Sequence, residues 1–435
     1  MKTKLLIFGI TGDLSVRKLI PSLKQIVATG DFDSLEIIGV SRRQVDVTTL
    51  LSDSVGDTTL SDKVSIFTMD IAVASEYLRL KEHVGLQQEE QLLVYLAIPP
   101  QAAGQVVDML GQAGINESNV KLMLEKPFGL DLESARDMIS RTEKYFAEDQ
   151  IYRIDHYLAK QMAQNVVTFR TQNVLFSYLW SNKYIEKIEV VAYEKIGIED
   201  RAQFYEQTGA IRDFLQGHLL QLLALTIMDT SNHFDMASIE TARLKALESL
   251  KPADYTHAIR AQYKEYRSEV DNAKSCTETF VSVKLESTDK MWQGVPFYLS
   301  SGKAMDKKLT QIRVHFKKQS DAQTNCLTFN IQPHEGVDIA LNVGSPDYDY
   351  TYETKHLAFR YPEDTVLPDA YEQVIVDAIR ARKNIFPTGE EILRSWEILQ
   401  PLLDHWAMCE PGKMQLYTKG STADDIIKNS PKTVG

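Results

Sequence analysis

Five short apolar runs, at residues 4–8, 35–40, 64–69, 91–97 and 120–124, alternate with amphipathic stretches over the N-terminal part of the chain. Strand-length runs that alternate with helical periodicity point to crossover units, which build a mostly parallel sheet with helices on both faces. Helical patterns near 14–28, 101–113 and 131–146 supply such helices. We therefore expect a Rossmann-like, doubly wound α/β domain over 1–150. Beyond it, long helical patterns at 155–171 and 209–228 mix with alternating runs at 187–193, 279–285, 312–316 and 327–331. Strands that follow one another through short turns predict a larger α+β domain with a mostly antiparallel sheet over 151–435. A ligand cleft where two such domains meet is the default expectation.

Charge narrows the partners. The chain has 435 residues, with 48 Lys and Arg against 60 Asp and Glu, a formal net charge of −12. Nucleic acid and anionic membrane surfaces require a field of basic charge, so the balance argues against both, and an anionic ligand must be held by local lysines. The three cysteines, Cys276, Cys326 and Cys409, are widely spaced and form no CxxC pair. That pattern fits a reducing compartment and argues against a structural zinc; no metal is expected, and the cytoplasm is the expected location. No apolar run approaches membrane-spanning length, and the run at 5–8 is too short for the core of a signal peptide.

The first run leads into Gly9-Ile10-Thr11-Gly12-Asp13-Leu14. Strand, glycine turn and helix start, in that order, aim backbone N–H groups at a pyrophosphate at the positive end of a helix dipole; the spacing is not GxGxxG, and these residues alone also fit a plain tight turn. The second run ends in Ser41-Arg42-Arg43, where a dinucleotide domain meets the adenosine ribose. An acid there would bind a free 2′-hydroxyl, whereas arginine pairs with a 2′-phosphate; NADP is thus favoured over NAD, against the plainer reading of a solvated basic loop. Glu125-Lys126-Pro127 leaves the fifth run at the sheet end where ligands of parallel sheets sit, so Lys126 can reach both cofactor and substrate.

His156 and Lys160 stand four residues apart, which on a helix gives them one face near its positive N-terminus, an arrangement suited to a phosphate. His218 falls on the stripe formed by Ile211, Phe214, Leu215 and Leu222 and should face inward. It is then either a satisfied core histidine or a neutral general base with a carboxylate partner. Lys303, Lys307 and Lys308 cluster at a strand exit.

Phe8 to Leu14, Glu125-Lys126-Pro127-Phe128-Gly129, the run from Arg153 to Lys160, Ile211-Arg212-Asp213 with His218-Leu219-Leu220-Gln221, and Pro296 to Leu299 with Gly302-Lys303-Ala304 occur in that order. In this order, and with Ile331-Gln332-Pro333 and Asp369-Ala370-Tyr371-Glu372 near the end, the chain resembles the glucose-6-phosphate dehydrogenases over nearly its whole length. The resemblance implies oxidation of D-glucose 6-phosphate at C1 to 6-phospho-D-glucono-1,5-lactone with hydride passed to NADP, the entry step of the oxidative pentose phosphate pathway. It implies that His218 is the general base and that Asp155 orients it. His156, Tyr157 and Lys160 would hold the 6-phosphate, Lys126 would bridge sugar and cofactor, and Glu194, Asp213, Lys303 and Gln332 would meet the sugar hydroxyls or their surroundings. Lys308 falls at a further basic position. Gly9, Ile10, Thr11, Gly12, Asp13, Leu14 and Arg42 would line the NADP site, and a homodimer or homotetramer is implied.

The chain departs from the family pattern at Ala159 (glycine there), Gln161 (glutamate), Gly217 (asparagine) and over 199–203, which replace a Gly-Arg-Gly-type turn. These positions bear on substrate preference. Ser300 and Ala340 stand where an arginine and a lysine support a second, structural NADP site in some animal members, so that site is expected to be absent. Two rival readings are an NADP-dependent oxidoreductase of another sugar or cyclitol, and a non-catalytic NADP-binding sensor or assembly partner. The trio His156, Tyr157 and Lys160 speaks for a phosphorylated substrate, and the presence of both Asp155 and His218 speaks for catalysis.

Overall fold

The structure, a computed structural model, describes residues 2–230, 234–319, 323–346, 348–349, 351–362 and 364–430. It divides into two compact units, the first comprising Met1–Gly129, Glu133–Ala159 and Pro368–Gly389, the second Leu130–Leu132, Lys160–Leu367 and Glu390–Gly435.

The first unit is built on β1 (Lys2–Phe8), β2 (Leu35–Ser41), β3 (Val64–Thr68), β4 (Glu90–Leu96), β5 (Val120–Leu124) and β6 (Ile151–Arg153). They pair in the order β3-β2-β1-β4-β5-β6, all parallel. Leu5, Leu6, Ile7 and Phe8 are fully buried, as are Leu93, Val94 and Tyr95 in the neighbouring strand. A strand covered on both faces has no polar side to show, which is why these runs are continuous rather than alternating. This is the doubly wound sheet anticipated from the sequence.

The segment Pro368–Gly389 returns to this unit late in the chain. Asp369 caps the helix Ala370–Ile379 reciprocally with Glu372 and bonds Lys18 at 3.0 Å. At the other end of that helix, Gln91 donates to the Ile379 carbonyl at 2.9 Å and Lys121 to the Ala378 carbonyl at 2.6 Å. Orphan carbonyls of a helix C-terminus are thereby satisfied from the sheet. Burial, with Lys383 nearby, pushes the Lys121 ammonium down to about 8.

The second unit carries β7 (Ile185–Tyr193), β8 (Ala258–Tyr263), β9 (Phe280–Leu285), β10 (Phe297–Gly302), β11 (Leu309–Phe316), β12 (Cys326–Gln332), β13 (Gly336–Gly344), β14 (Tyr352–Arg360) and β15 (Gln415–Tyr417). Their order is β14-β13-β12-β11-β7-β10-β9-β8-β15, antiparallel except for β7 with β10 and β8 with β15. The helix Gln161–Gln172 packs on β12, and a π-helical stretch, Ile211–Leu219, packs on β7 and β10. Val190, Leu299, Ile312 and Phe329 are fully buried in the core of this unit. An ion pair with no exposure, Arg243 with Glu391 at 2.8 Å, ties the helix Ile239–Ser249 to the helix Gly389–Ala407. Among the described residues no helix is long and apolar enough to cross a membrane. Among the described residues no three His, Cys, Asp or Glu side chains converge as a metal site.

Two expectations are corrected here. Cys276 and Cys409 form a disulfide across 133 residues, so the reading of the cysteines as thiols of a reducing compartment fails for this pair; Cys326 alone is free. Parallel pairing of β15 with β8 brings the C-terminal chain beside the segment that leads to Cys276, a proximity that spacing cannot reveal. Residues 155–160 form a turn rather than the start of a helix, which begins at Gln161. The Asp155 carboxylate accepts the Tyr157 N–H at 2.9 Å, closing that turn as soon as β6 ends. His156 and Lys160 therefore do not share a helix face.

Replacing Cys276 with serine opens a long loop in the unfolded chain and is expected to destabilise the protein by about 2–5 kcal/mol. Denaturant unfolding with and without the substitution measures this; unchanged midpoints would show that the bond does not hold the native fold together.

Candidate active site

In the first unit, the turn after β1 is shaped by one close approach. Gly9 has φ +82°, and a Cβ on it would lie 2.4 Å from the Ala97 carbonyl oxygen. Only glycine fits. The Gly9 carbonyl accepts from the Gly12 N–H at 2.9 Å and the Ser15 hydroxyl at 2.8 Å. The N–H groups of Gly9 and Ile10 both go to the Val40 carbonyl. Ile10 is 1% exposed and occupies the space over Gly39, where a Cβ would meet it at 2.8 Å. Asp13 pairs with Arg17 on the surface at 2.7 Å. Arg42 is exposed just beyond β2 and has no acidic partner among the described residues. The turn is thus a cradle of the shape a pyrophosphate needs, with a free guanidinium placed after the neighbouring strand.

Lys126 leaves β5 through a cis bond to Pro127. Beside it, Glu125 accepts the Tyr95 hydroxyl at 2.5 Å. Loss of solvent pushes the Glu125 carboxyl up to about 7, while that hydrogen bond and the Lys126 charge hold it down. Asp155 is 1% exposed at the end of β6. The His156 ring stacks on Tyr371 at 6.0 Å and tilts against Tyr157 at 4.9 Å. Burial, together with the charges of Glu125, Asp369 and Asp155, pushes the Tyr371 phenol well above its ordinary range. The first unit therefore gathers Glu125, Tyr95, Asp155, His156, Tyr157 and Tyr371. Sequence reasoning assigned no role to Tyr95, Glu125 or Tyr371.

The second unit holds the remaining residues. Register pairs Gly302 with Tyr193 on the parallel strands β10 and β7, so the next residues, Lys303 and Glu194, emerge side by side and are bonded to each other. Lys303 lies over the rings of Tyr205 at 5.1 Å and Phe214 at 5.9 Å. Phe214 in turn meets the His218 ring edge-on at 5.8 Å, and His218 is 3% exposed, facing inward as its stripe predicts. Asp213 is half-buried on the same π-helical stretch. Lys160 stands in the electrostatic field of Glu335, which accepts the Met162 N–H at 3.0 Å. Gln332 donates to Thr310 at 3.1 Å at the end of β12. Lys308 is exposed between β10 and β11 and bonds none of these residues. Glu199–Arg201 form a 3-10 turn, with Glu199 at φ +46°, that runs into the helix Ala202–Ala210 carrying Gln203 and Tyr205.

Comparison with known proteins identifies the family. A sequence model of the glucose-6-phosphate dehydrogenase NAD binding domain matches residues 6–165, and one of the C-terminal domain of the same family matches 167–432. The glucose-6-phosphate 1-dehydrogenase of Borreliella burgdorferi is 32% identical over 441 residues, covering 93% of this chain and 92% of that one. The Bacillus subtilis enzyme of the same name is 33% identical over 455 residues, covering 93% and 92%. A solved glucose-6-phosphate dehydrogenase in complex with its substrate glucose-6-phosphate superimposes with TM-score 0.89 at 27% identity, covering all 100% of this chain and 98% of its own. The Mycobacterium avium glucose-6-phosphate 1-dehydrogenase gives 0.85 at 29% identity, covering 97% and 94%.

Because the Tyr95 hydroxyl stabilises the ionised Glu125, Tyr95→Phe should raise the Glu125 pKa above about 7. If ionised Glu125 is needed beside Lys126, the acid limb of kcat/KM then moves to higher pH. A limb that stays in place in the pH–rate profile would remove Glu125 from the titrating machinery.

Proposed function

Since the chain belongs to the glucose-6-phosphate dehydrogenase family, we propose the following division of work among its residues. The reaction is oxidation of D-glucose 6-phosphate at C1 to 6-phospho-D-glucono-1,5-lactone, and bound NADP accepts the hydride. His218 takes the proton of the C1 hydroxyl as general base, and Asp155 is the carboxylate assigned to orient it and steady the imidazolium. Lys303 and Glu194, with Asp213 and Gln332, hold the sugar hydroxyls. His156, Tyr157 and Lys160 hold the phosphate, and Lys126 serves sugar and cofactor together. The observation that carries this reading is Phe214: one ring touches both the buried imidazole and the Lys303 ammonium, joining the proposed base to the sugar-holding pair.

For NADP, the chain fits through its backbone. The amides of Gly9, Ile10 and Gly12 are already engaged inside the fold, so these residues contribute shape, and the pyrophosphate donors are the amides of Thr11, Asp13 and Leu14 at the head of the helix. Arg42 reads the 2′-phosphate. The second, structural NADP site is proposed absent. In the lining of the cavity of about 460 Å³ at Ser300, Lys187 pairs with Glu189, Ser300 bonds Ser282 and Arg313 bonds the neighbouring Gln311, so these groups are already engaged.

A homodimer or homotetramer is the proposed assembly, supported by the exposed Leu341, Val343, Leu357 and Phe359 on β13 and β14. A cytoplasmic location is supported by the anionic substrate and cofactor. The Cys276–Cys409 bond is the feature that stands against it.

Absorbance of reduced nicotinamide, with glucose 6-phosphate or glucose and NADP or NAD in all four combinations, tests the reaction directly; turnover is expected with glucose 6-phosphate and NADP. His218→Asn should cut kcat by about 100- to 10,000-fold with the substrate KM nearly unchanged; wild-type kcat would remove it as the base. Arg42→Ala should weaken NADP at least tenfold more than NAD, and equal loss for both would show that Arg42 does not read the phosphate.

A further inference from the structure

The stretch that carries Asp213 and His218 begins at a break. The helix Ala202–Ala210 is interrupted at Gly209, with φ 58° and ψ −174°, before the π-helical turns of Ile211–Leu219 begin. Leu220 N–H reaches back to the Leu215 carbonyl, the five-residue step of a π-helix. A stretch of this kind is costlier to hold than an α-helix and is commonly kept where a side chain must be aimed.

Two backbone donors are left at the break, and both go to one residue just ahead of β9. Ala210 N–H donates to the Glu278 carbonyl at 3.0 Å, and Ile211 N–H donates to the Glu278 carboxylate at 2.9 Å. Glu278 is 5% exposed. A Cβ on Gly209 would stand 2.4 Å from that carboxylate, so the glycine makes room for it. Burial pushes the Glu278 carboxyl up, opposed by the Ile211 amide and the charges of Arg212 and Arg260.

The neighbouring residue performs the same service for the sugar-holding pair. The Thr279 carbonyl accepts the Lys303 N–H at 2.9 Å. The Tyr417 hydroxyl donates to the Lys303 carbonyl at 2.7 Å and lies 2.9 Å from the Thr279 hydroxyl. Glu278 and Thr279 are thus one anchor for two parts of the site: the segment of His218 and the backbone of Lys303.

We propose that Glu278 is a positioning residue for the dehydrogenation: its carboxylate grips the first amide of the π-helical stretch and so sets His218 at a fixed place relative to Lys303. This rests on His218 being the base. A displacement of about 1 Å at a reacting group can cost on the order of 100-fold in rate, so a single hydrogen bond at this point has leverage.

The test is a set of variants of the full-length enzyme read by kcat, by KM for each substrate and by thermal melting. Glu278→Asp keeps the charge and withdraws the acceptor by one methylene; kcat is expected to fall about tenfold or more with KM for NADP unchanged. Glu278→Gln retains an acceptor oxygen and should stay within about threefold of wild type. A lowered melting point in Glu278→Asp with wild-type kinetics would overturn the proposal, leaving Glu278 a structural cap. A Gln variant as impaired as Asp would also overturn it, since charge rather than the hydrogen bond would then matter. In the double variant His218→Asn with Glu278→Asp, kcat should equal that of His218→Asn alone, because the positioning has nothing left to position. Additive losses would sink this proposal while leaving the base in place, whereas wild-type kcat in His218→Asn alone would sink the base itself.

Discussion

Between Gly9 and the carbonyl of Ala97 there is no room for a methyl group, and the ligand end of the first unit is arranged around that fact. β1 lies between β2 and β4, and the chain order reverses there, so the connections leaving the two sides part and open a crevice at the carboxyl ends of the strands. The turn after Phe8 must descend into that crevice without a side chain. Once it does, the Gly12 amide and the Ser15 hydroxyl fold back onto the Gly9 carbonyl, and Ile10 is driven into the space above Gly39.

The second unit solves a different problem with a sheet that is mostly antiparallel. One of its two parallel pairs, β7 with β10, ends both strands on the same side, which is what allows Glu194 and Lys303 to leave adjacent strands as neighbours. An antiparallel pair would have sent them to opposite ends. The buried aromatic rings of Tyr205 and Phe214 then shield that ion pair from water, where an exposed pair of the same kind contributes little.

Much of this was legible in the chain because burial on both faces writes a strand as a near-continuous apolar run, and β1, β2, β4 and β5 of the first unit are of that kind, whereas β3, at the sheet edge, is only partly buried. The turn motif, Arg42 and the inward histidine were legible for the same local reason. What escaped was either too polar or too distant. The helices Val47–Val55 and Ala74–Val84 carry only two and three buried residues, so their periodicity is faint. β6 has three residues. The turn at 155–160 imitates a helix start because Asp155 is a residue that caps helices as readily as it closes turns. The pairing of Cys276 with Cys409, the Tyr95–Glu125 bond, the stacking of Tyr371 on His156 and the grip of Glu278 on Ile211 all join residues far apart along the chain, and nothing in their spacing announces them.

The return of Pro368–Gly389 to the first unit has a consequence for how the molecule is made. The strand sheet of that unit is complete by Arg153, yet Gln91 and Lys121 find their helix carbonyls only when Ala370–Ile379 arrives, and the Ile151 carbonyl meets Lys383 only with the segment after it. A ribosome must therefore release most of the chain before the nucleotide-facing half can close its polar seams. Until then Lys121 of the nascent sheet has the Gln91 side chain but not its helix carbonyl, and a truncated gene product ending near residue 160 would inherit that incompleteness permanently.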